Sequence, residues 1–272
     1  MAFVRIVELE SAPIHEIPHL SAAKRGGSEA RRLPVLLGHV SGLPTGCGGM
    51  VLTSDLQGMA PSWGGGGASV LLGEVVVEQL EQLAEEDHIP PLSSMGAILA
   101  GDFFSAPEAN KRGASGEVLA VWMAFARSFQ WVAGVAGNHD DLGTPREVQR
   151  LRHTPGVALL DGELAGMQGL QIGGVSLITG PAEKRGRREP DDQLRRIAAT
   201  LRAGPDVLIL HEGPLASPTQ RGNPDIAQLI QSEGAPLTVC GHTHWEDPLA
   251  TLGRAQVLNV DGRVVVLASD TS

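Results

Sequence analysis

The sequence predicts an α/β layered fold, and three observations carry that reading. From Leu33 onwards, short apolar runs alternate with segments of helical period. Towards the end of the chain, two stretches have paired strand-like arms, which adds antiparallel strands to the sheet. Five of the apolar runs stop, on their C-terminal side, at an Asp, Asn or His. In open α/β sheets that edge is where ligands bind.

Taken in order, FVRIVELE alternates like a short strand, and HEIPHLSAAKRGGSEARR, polar and carrying Pro and Gly, reads as a loop. Residues 1–34 are therefore expected to be an N-terminal extension with an edge strand at most. LPVLLGHV, GMVLTS, GAILA, WVAGVA, DVLIL and PLTVC read as strands. Helices are expected over 71–86, 116–128, 190–202 and 225–232, where apolar residues recur about every 3.6 positions. Pro190 followed by Asp191 and Asp192 suits the first turn of the third. QGLQIGGVSLITG and QVLNVDGRVVVLAS read as hairpins, the second turning at Asp261-Gly262. With no internal repeat and no linker, residues 35–272 read as one domain.

Bulk properties narrow the function. A net charge of −10 argues against binding nucleic acid by bulk phosphate neutralisation, and the absence of Tyr with 3% aromatics argues against a base-stacking surface. Cys47 and Cys240 form no CxxC pair, so neither a thiolate zinc site nor a disulfide framework is indicated, and a reduced, cytoplasmic setting is the simplest expectation. The first residues lack the apolar core of a signal peptide, and no apolar run approaches the ~20 residues that span a bilayer.

The polar residues that end the apolar runs form a coherent set. VLTS leads to Asp55 and Gln57, AILA to Asp102, VAGVA to Asn138, His139 and Asp140, DVLIL to His211, and LTVC to His242 and His244. In extended chain, residues i and i+2 point the same way, so Asp55 with Gln57 and His242 with His244 can each present two donors together. Carboxylates, imidazoles and amide oxygens without thiolates suit Mn²⁺, Fe or Zn²⁺ better than Ca²⁺ or Mg²⁺. Seven of these nine as donors already exceed the needs of one tetrahedral ion, whereas two ions sharing a bridging carboxylate would use all seven.

SDLQG, GD, GNHD, H and GHTH, in that order over residues 50–261, resemble the calcineurin-like metallophosphoesterases. The resemblance implies a four-layer sandwich of two mixed sheets flanked by helices. It implies two divalent ions, Mn²⁺ favoured with Fe or Zn²⁺ as alternatives. Asp55 and His244 would hold the first with Gln57 near it, Asp102 would bridge both, and Asn138, His211 and His242 would hold the second. His139 would meet the substrate, and Asp140 would orient and charge-stabilise that imidazole. The family usually has His where this chain has Gln57, a weaker and harder ligand, which predicts a more exchangeable first ion and a tilt towards Mn²⁺. The activity implied is hydrolysis of a phosphomonoester or phosphodiester by water activated between two cations. A nuclease and a non-catalytic protein-binding scaffold of the same fold are the alternatives; the acidic total speaks against the first and His139 against the second.

Other features are weaker. Residues 61–69, PSWGGGGAS, could approach a phosphate through glycine N–H groups, with Trp63 as a cover. The basic run 183–189, EKRGRRE, reads mainly as a solvated face that could steer anions. Glu212 beside His211 is expected to shape the cleft wall, Cys240 to be a small core residue, and His15, His19, His39, His88 and His153 to be structural or solvated. Specificity is expected in loops 58–69, 103–115, 181–190 and 214–224.

Overall fold

The computed structural model of the chain describes residues 4–64 and 66–269. Phe3 of the first expected strand and Gly65 of the glycine-rich stretch lie outside them. The N-terminal part forms β1 (Arg5–Leu9), β2 (His15–Ala22), β3 (Ser28–Ser41), β4 (Gly49–Ser54), β5 (Gly58–Pro61) and β6 (Ser69–Leu71), then helix α1 (Leu72–Glu85) and β7 (Met95–Leu99). Next come β8 (Gly116–Glu117), α2 (Leu119–Ser128), β9 (Trp131–Gly134), β10 (Asp140–Asp141), α3 (Pro145–Arg152), β11 (Val157–Leu159), β12 (Leu164–Met167) and β13 (Leu170–Val175). The C-terminal part holds β14 (Ile178–Thr179), β15 (Arg187–Arg188), α4 (Pro190–Arg202), β16 (Val207–Glu212), α5 (Pro224–Glu233), β17 (Leu237–Gly241), β18 (Leu249–Leu252), β19 (Ala255–Asn259) and β20 (Arg263–Ser269).

Two mixed sheets result. The larger runs β11-β9-β7-β4-β20-β3-β2-β5-β6 with β1 paired to β3, and the smaller runs β12-β13-β16-β17-β19-β18. Side chains alternate across each strand and so serve two cores. Met50, Leu52, Ile98 and Val265 of the larger sheet meet Ile172, Val207, Ile209, Val239 and Leu258 of the smaller in one buried cluster. Their neighbours Val51, Ala97, Leu99 and Val266 face the other way, onto Val76, Leu80, Trp122 and Phe125 of α1 and α2. Leu208, Leu210, Cys240 and Val257 face onto Ile197, Leu201, Ile226 and Ile230 of α4 and α5. The order helix, sheet, sheet, helix is the expected four-layer sandwich. Strands buried on both faces read as continuous apolar runs, which is why they were legible. None of the helices among the described residues is long and apolar enough to cross a membrane.

Three expectations are corrected. The stretch read as a polar loop is the β2–β3 hairpin, paired from His15 opposite Val35 to Ala22 opposite Ser28. It turns at Gly26 and Gly27, both in the left-handed region. Its inward face needs only Ile17, Leu33 and Val35, so polar residues dominate its composition and mask its period. The expected 34/35 boundary falls inside β3. QVLNVDGRVVVLAS is not a hairpin: β19 lies between β17 and β18 in one sheet and β20 between β4 and β3 in the other. Both arms are buried on two faces, as central strands are, so they cannot share one solvent-facing ribbon. In the other expected hairpin, the partner arm precedes Gln168-Gly169: β12 pairs with β13. Helix α3, not expected from period, is set by a capping box in which the Thr144 side chain meets Glu147 N and Glu147 answers Thr144 N, with Pro145 opening the first turn.

Candidate metal centre

Three of the motif-bearing strands, β4, β7 and β9, are parallel neighbours in the larger sheet, and β16 and β17 are parallel neighbours in the smaller. Within each sheet these strands therefore end on one side, and contacts between their ends bring the two sets together. The two sheets are tied there. Asp55 Oδ2 accepts from His242 N at 2.9 Å, and Ser54 bridges to Asp261 at the crossing from β19 to β20. His211 Nδ1 lies 2.7 Å from the Ala100 carbonyl. A carbonyl only accepts, so Nδ1 carries the proton and Nε2 is the nitrogen presented to the pocket.

The tightest cluster is Asp102, His211 and His242, whose ligand atoms lie within 4.8 Å of one another. His211 Nε2 is 3.3 Å from Asp102 Oδ2 and 3.1 Å from Asn138 Oδ1, and the two imidazole rings are 5.1 Å apart. Gln57 Nε2 donates to Asp102 Oδ2 at 3.3 Å, while Asp102 Oδ1 accepts from His139 N at 2.8 Å. Asp55, Asp102 and His242 all have φ between 56° and 68°, where non-glycine residues cost energy and persist only when the surroundings impose them. The loops approach closely: a Cβ on Gly101 would lie 2.5 Å from Gly137 N, and one on Gly137 would collide with the Asp102 carboxylate. Only glycine fits at either place.

Around Asp55 the arrangement is more open. Asp55 also accepts from Ser54 Oγ. Its carboxyl is held well above the usual range, first by burial and then by Asp261 and Asp102, against the opposing pull of His211. The His244 side chain is 61% exposed and its Nδ1 lies 3.1 Å from the Asp261 carbonyl and 3.2 Å from Asp261 Oδ1. Arg263 Nη2 is 3.2 Å from His244 Nε2. Asp261 and Arg263 were not read as site residues. Asp-Gly is the commonest hairpin signal, and that signal hid a carboxylate beside the centre.

His139 Nδ1 meets Ser115 Oγ at 3.0 Å, and a Cβ on residue 113, a glycine, would lie 3.8 Å from its Nε2. Asp140 does not orient this ring. Its Oδ2 accepts from Asp102 N at 2.8 Å and Gly137 N at 2.9 Å, and its Oδ1 accepts from Phe103 N at 2.8 Å. Successive side chains of extended β10 and its approach point apart, so Asp140 pins the backbone of two motifs while His139 faces outwards.

Donor chemistry and electrostatics both fit divalent cations. Burial alone would lower the His211 pKa, but Asp102 first and Asp55 next push it up to about 10. The same pairing with His211 lowers Asp102, against burial. In the absence of a cation a proton thus sits on Nε2, where neighbouring carboxylates call for positive charge. A cavity of about 470 Å³ is bordered by Asp55, Gln57, Asp102, Arg112, His139 and His242, and a slightly larger one of about 510 Å³ joins it through Asp55, Gln57, Arg112 and His242. Glu212, held by Thr179 and Asn223, lines a separate cleft beside His242. The glycine-rich stretch stays away: none of its described residues borders the two cavities, and Trp63 is 60% exposed. In the basic run, Arg188 is engaged by Asp161 at 2.8 Å and Arg185 by Asp141 at 2.8 Å, so two of its cations are structural. His19, expected to be structural or solvated, lines the larger cavity. Cys240 is buried in the core, as expected.

A model of the family described as calcineurin-like phosphoesterase matches residues 51–246. Among solved structures, the protein TT1561 of Thermus thermophilus is 17% identical, with a TM-score of 0.52 over 77% of this chain and 87% of that one. A second is 11% identical, with a TM-score of 0.53 over 78% and 90%. These likenesses speak for the fold. No curated protein matches the sequence.

Proposed function

The chain belongs to the calcineurin-like phosphoesterase family, and on that premise we propose that it hydrolyses a phosphoester at a centre of two divalent cations, with Mn²⁺ favoured. The observation that carries the reading is the meeting of Asp102, His211 and His242, from both sheets, with ligand atoms inside 4.8 Å. Asp102, His211, His242 and Asn138 would hold one cation, and Asp55, Gln57 and His244 the other, with Asp102 shared. Bound there, the cations supply an activated water and neutralise charge on the phosphoryl group.

The chain's own groups do the rest. His139 offers its Nε2 edge to the cavity because Nδ1 is taken by Ser115 and residue 113 has no side chain to cover the ring. It holds the proton that a phosphoryl oxygen or leaving group accepts. Arg112, bordering the same cavity, places a permanent positive charge near the phosphoryl oxygens. Asp140 keeps Asp102 and Gly137 in register from behind. Both cysteines are buried and unpaired, which suits a reducing, cytoplasmic setting.

The test is turnover of p-nitrophenyl phosphate and bis-p-nitrophenyl phosphate after chelation and Mn²⁺ return. Activity lost with the chelator and regained with Mn²⁺ is expected, and the faster ester ranks monoester against diester. Stoichiometric metal uptake with no turnover of either ester would favour a binding scaffold instead.

A further inference from the structure

The larger cavity is walled by more than the family motifs. The β2–β3 hairpin, which those motifs do not include, is locked to the centre. Ser21 pairs with Gly58, Ser21 Oγ donates to the Gln57 carbonyl at 3.2 Å, and the His19 ring packs on Gly58. Opposite His19 in the hairpin register is Arg31. The two therefore share a face, and both line the cavity. Lys111 and Arg112, on the loop after Asp102, line it as well.

These cations are divided between the two adjoining cavities. Arg112 borders both the cavity with Asp102 and His139 and the larger one, whereas Arg31, Lys111 and Arg32, the last 3.6 Å from Glu16, border only the larger. Among the described residues neither Lys111 nor Arg112 has a carboxylate partner. Arg31 meets Glu29 through Nε and Nη2 only, so its Nη1 donors remain for a ligand. A cavity of about 510 Å³ suits a small molecule, and cations inside a concavity do not follow a polymer backbone as a surface stripe would.

Resting on the phosphoesterase reading above, we propose that Arg31 and Lys111 form a second anion subsite. The substrate class is then a small phosphoester that carries another phosphate group away from the one being cleaved. Arg112, at the junction, serves the phosphate at the centre. A bisphosphate would set one phosphate beside Asp102, Arg112 and His139 and the other beside Arg31 and Lys111, which border the larger cavity alone.

The experiment compares matched probes with the Mn²⁺-loaded chain: adenosine 3′-phosphate against adenosine 3′,5′-bisphosphate, and glucose 1-phosphate against glucose 1,6-bisphosphate. The ratio of kcat/KM within a pair is the readout. At least one bisphosphate is expected to be preferred about tenfold or more, as one charge-assisted contact allows. Arg31→Ala with Lys111→Ala should abolish that preference, and Arg31→Lys with Lys111→Arg should keep it. Equal use within both pairs, or a preference that survives the double alanine change, overturns the subsite. Calorimetric titration of the two bisphosphates separates the two readings. If neither ester is hydrolysed the phosphoesterase reading fails, yet binding that is lost in the alanine pair still supports the subsite. Equal binding by both proteins overturns it.

Discussion

Asp140→Asn changes a single atom of a carboxylate that holds three backbone N–H groups, and its consequences can be worked out. Oδ2 serves Asp102 N and Gly137 N, and Oδ1 serves Phe103 N, all at 2.8–2.9 Å. An amide has one acceptor oxygen. Turned to keep the two donors on the Oδ2 side, it sets its NH₂ against the Phe103 N–H and leaves that group unsatisfied. The two remaining bonds lose their charge assistance. One unsatisfied N–H costs about 1–3 kcal/mol, and removing a carboxylate that burial and Asp102 already disfavour offsets part of it, so the plateau loss should be about 2 kcal/mol. The pH dependence has a definite sign. Burial first, then Asp102, raise the carboxyl from 3.8 to about 6 in the folded protein, against the three N–H bonds. A raised carboxyl binds its proton more tightly when folded, so its stabilisation is full below the unfolded value and is lost as pH climbs through about 6. Wild type should therefore lead the Asn variant most at the acid end, with the lead shrinking to its plateau above pH 6–7. Denaturant titrations of both chelated proteins across that range measure this. A lead that widens with rising pH would mean the N–H bonds outweigh burial, and no lead at all would refute the pinning role. With Mn²⁺ restored, kcat/KM should fall roughly 10–100-fold, as for other groups that support ligands from behind.

Other expectations follow from the same geometry. His139→Ala should lower kcat by roughly 10²–10⁴-fold while bound metal, measured by elemental analysis, stays near normal. Gln57→His should tighten the more weakly held cation and reduce the preference for Mn²⁺ in metal titrations; unchanged affinity would remove Gln57 from that shell. Gly241→Ala would drive a methyl into Ser54 Oγ and the Asp55 carboxylate, with a stability loss of about 1–3 kcal/mol in denaturant and weaker metal uptake. Burial raises the thiols of Cys47 and Cys240, so neither should react with a thiol reagent until the protein unfolds.

What could be read from the chain was what depends on local chemistry. Strands buried on two faces must be apolar throughout, and donors must follow them directly if they are to stand at the sheet edge. GMVLTS before Asp55 and LTVCG before His242 satisfy both demands within a few residues, and α4 was legible from its spacing and its Pro-Asp-Asp start. The misread parts lacked such a local signature. The β2–β3 hairpin faces water or a polar cavity over most of its length, so no apolar period marks it. Asp261 sits in an Asp-Gly pair whose local preference is a hairpin, but β19 and β20 separate because each has two buried faces.

By itself, then, the sequence determined the elements and the kinds of donor at their ends, since both follow from short-range period and residue chemistry. Only the tertiary structure decided which groups meet. Asp55 takes its hydrogen bond from a residue 187 positions away, and Arg31 reaches the cavity through the register of a hairpin. Such distances are set by strand pairing and sheet packing, which involve partners that no local window contains.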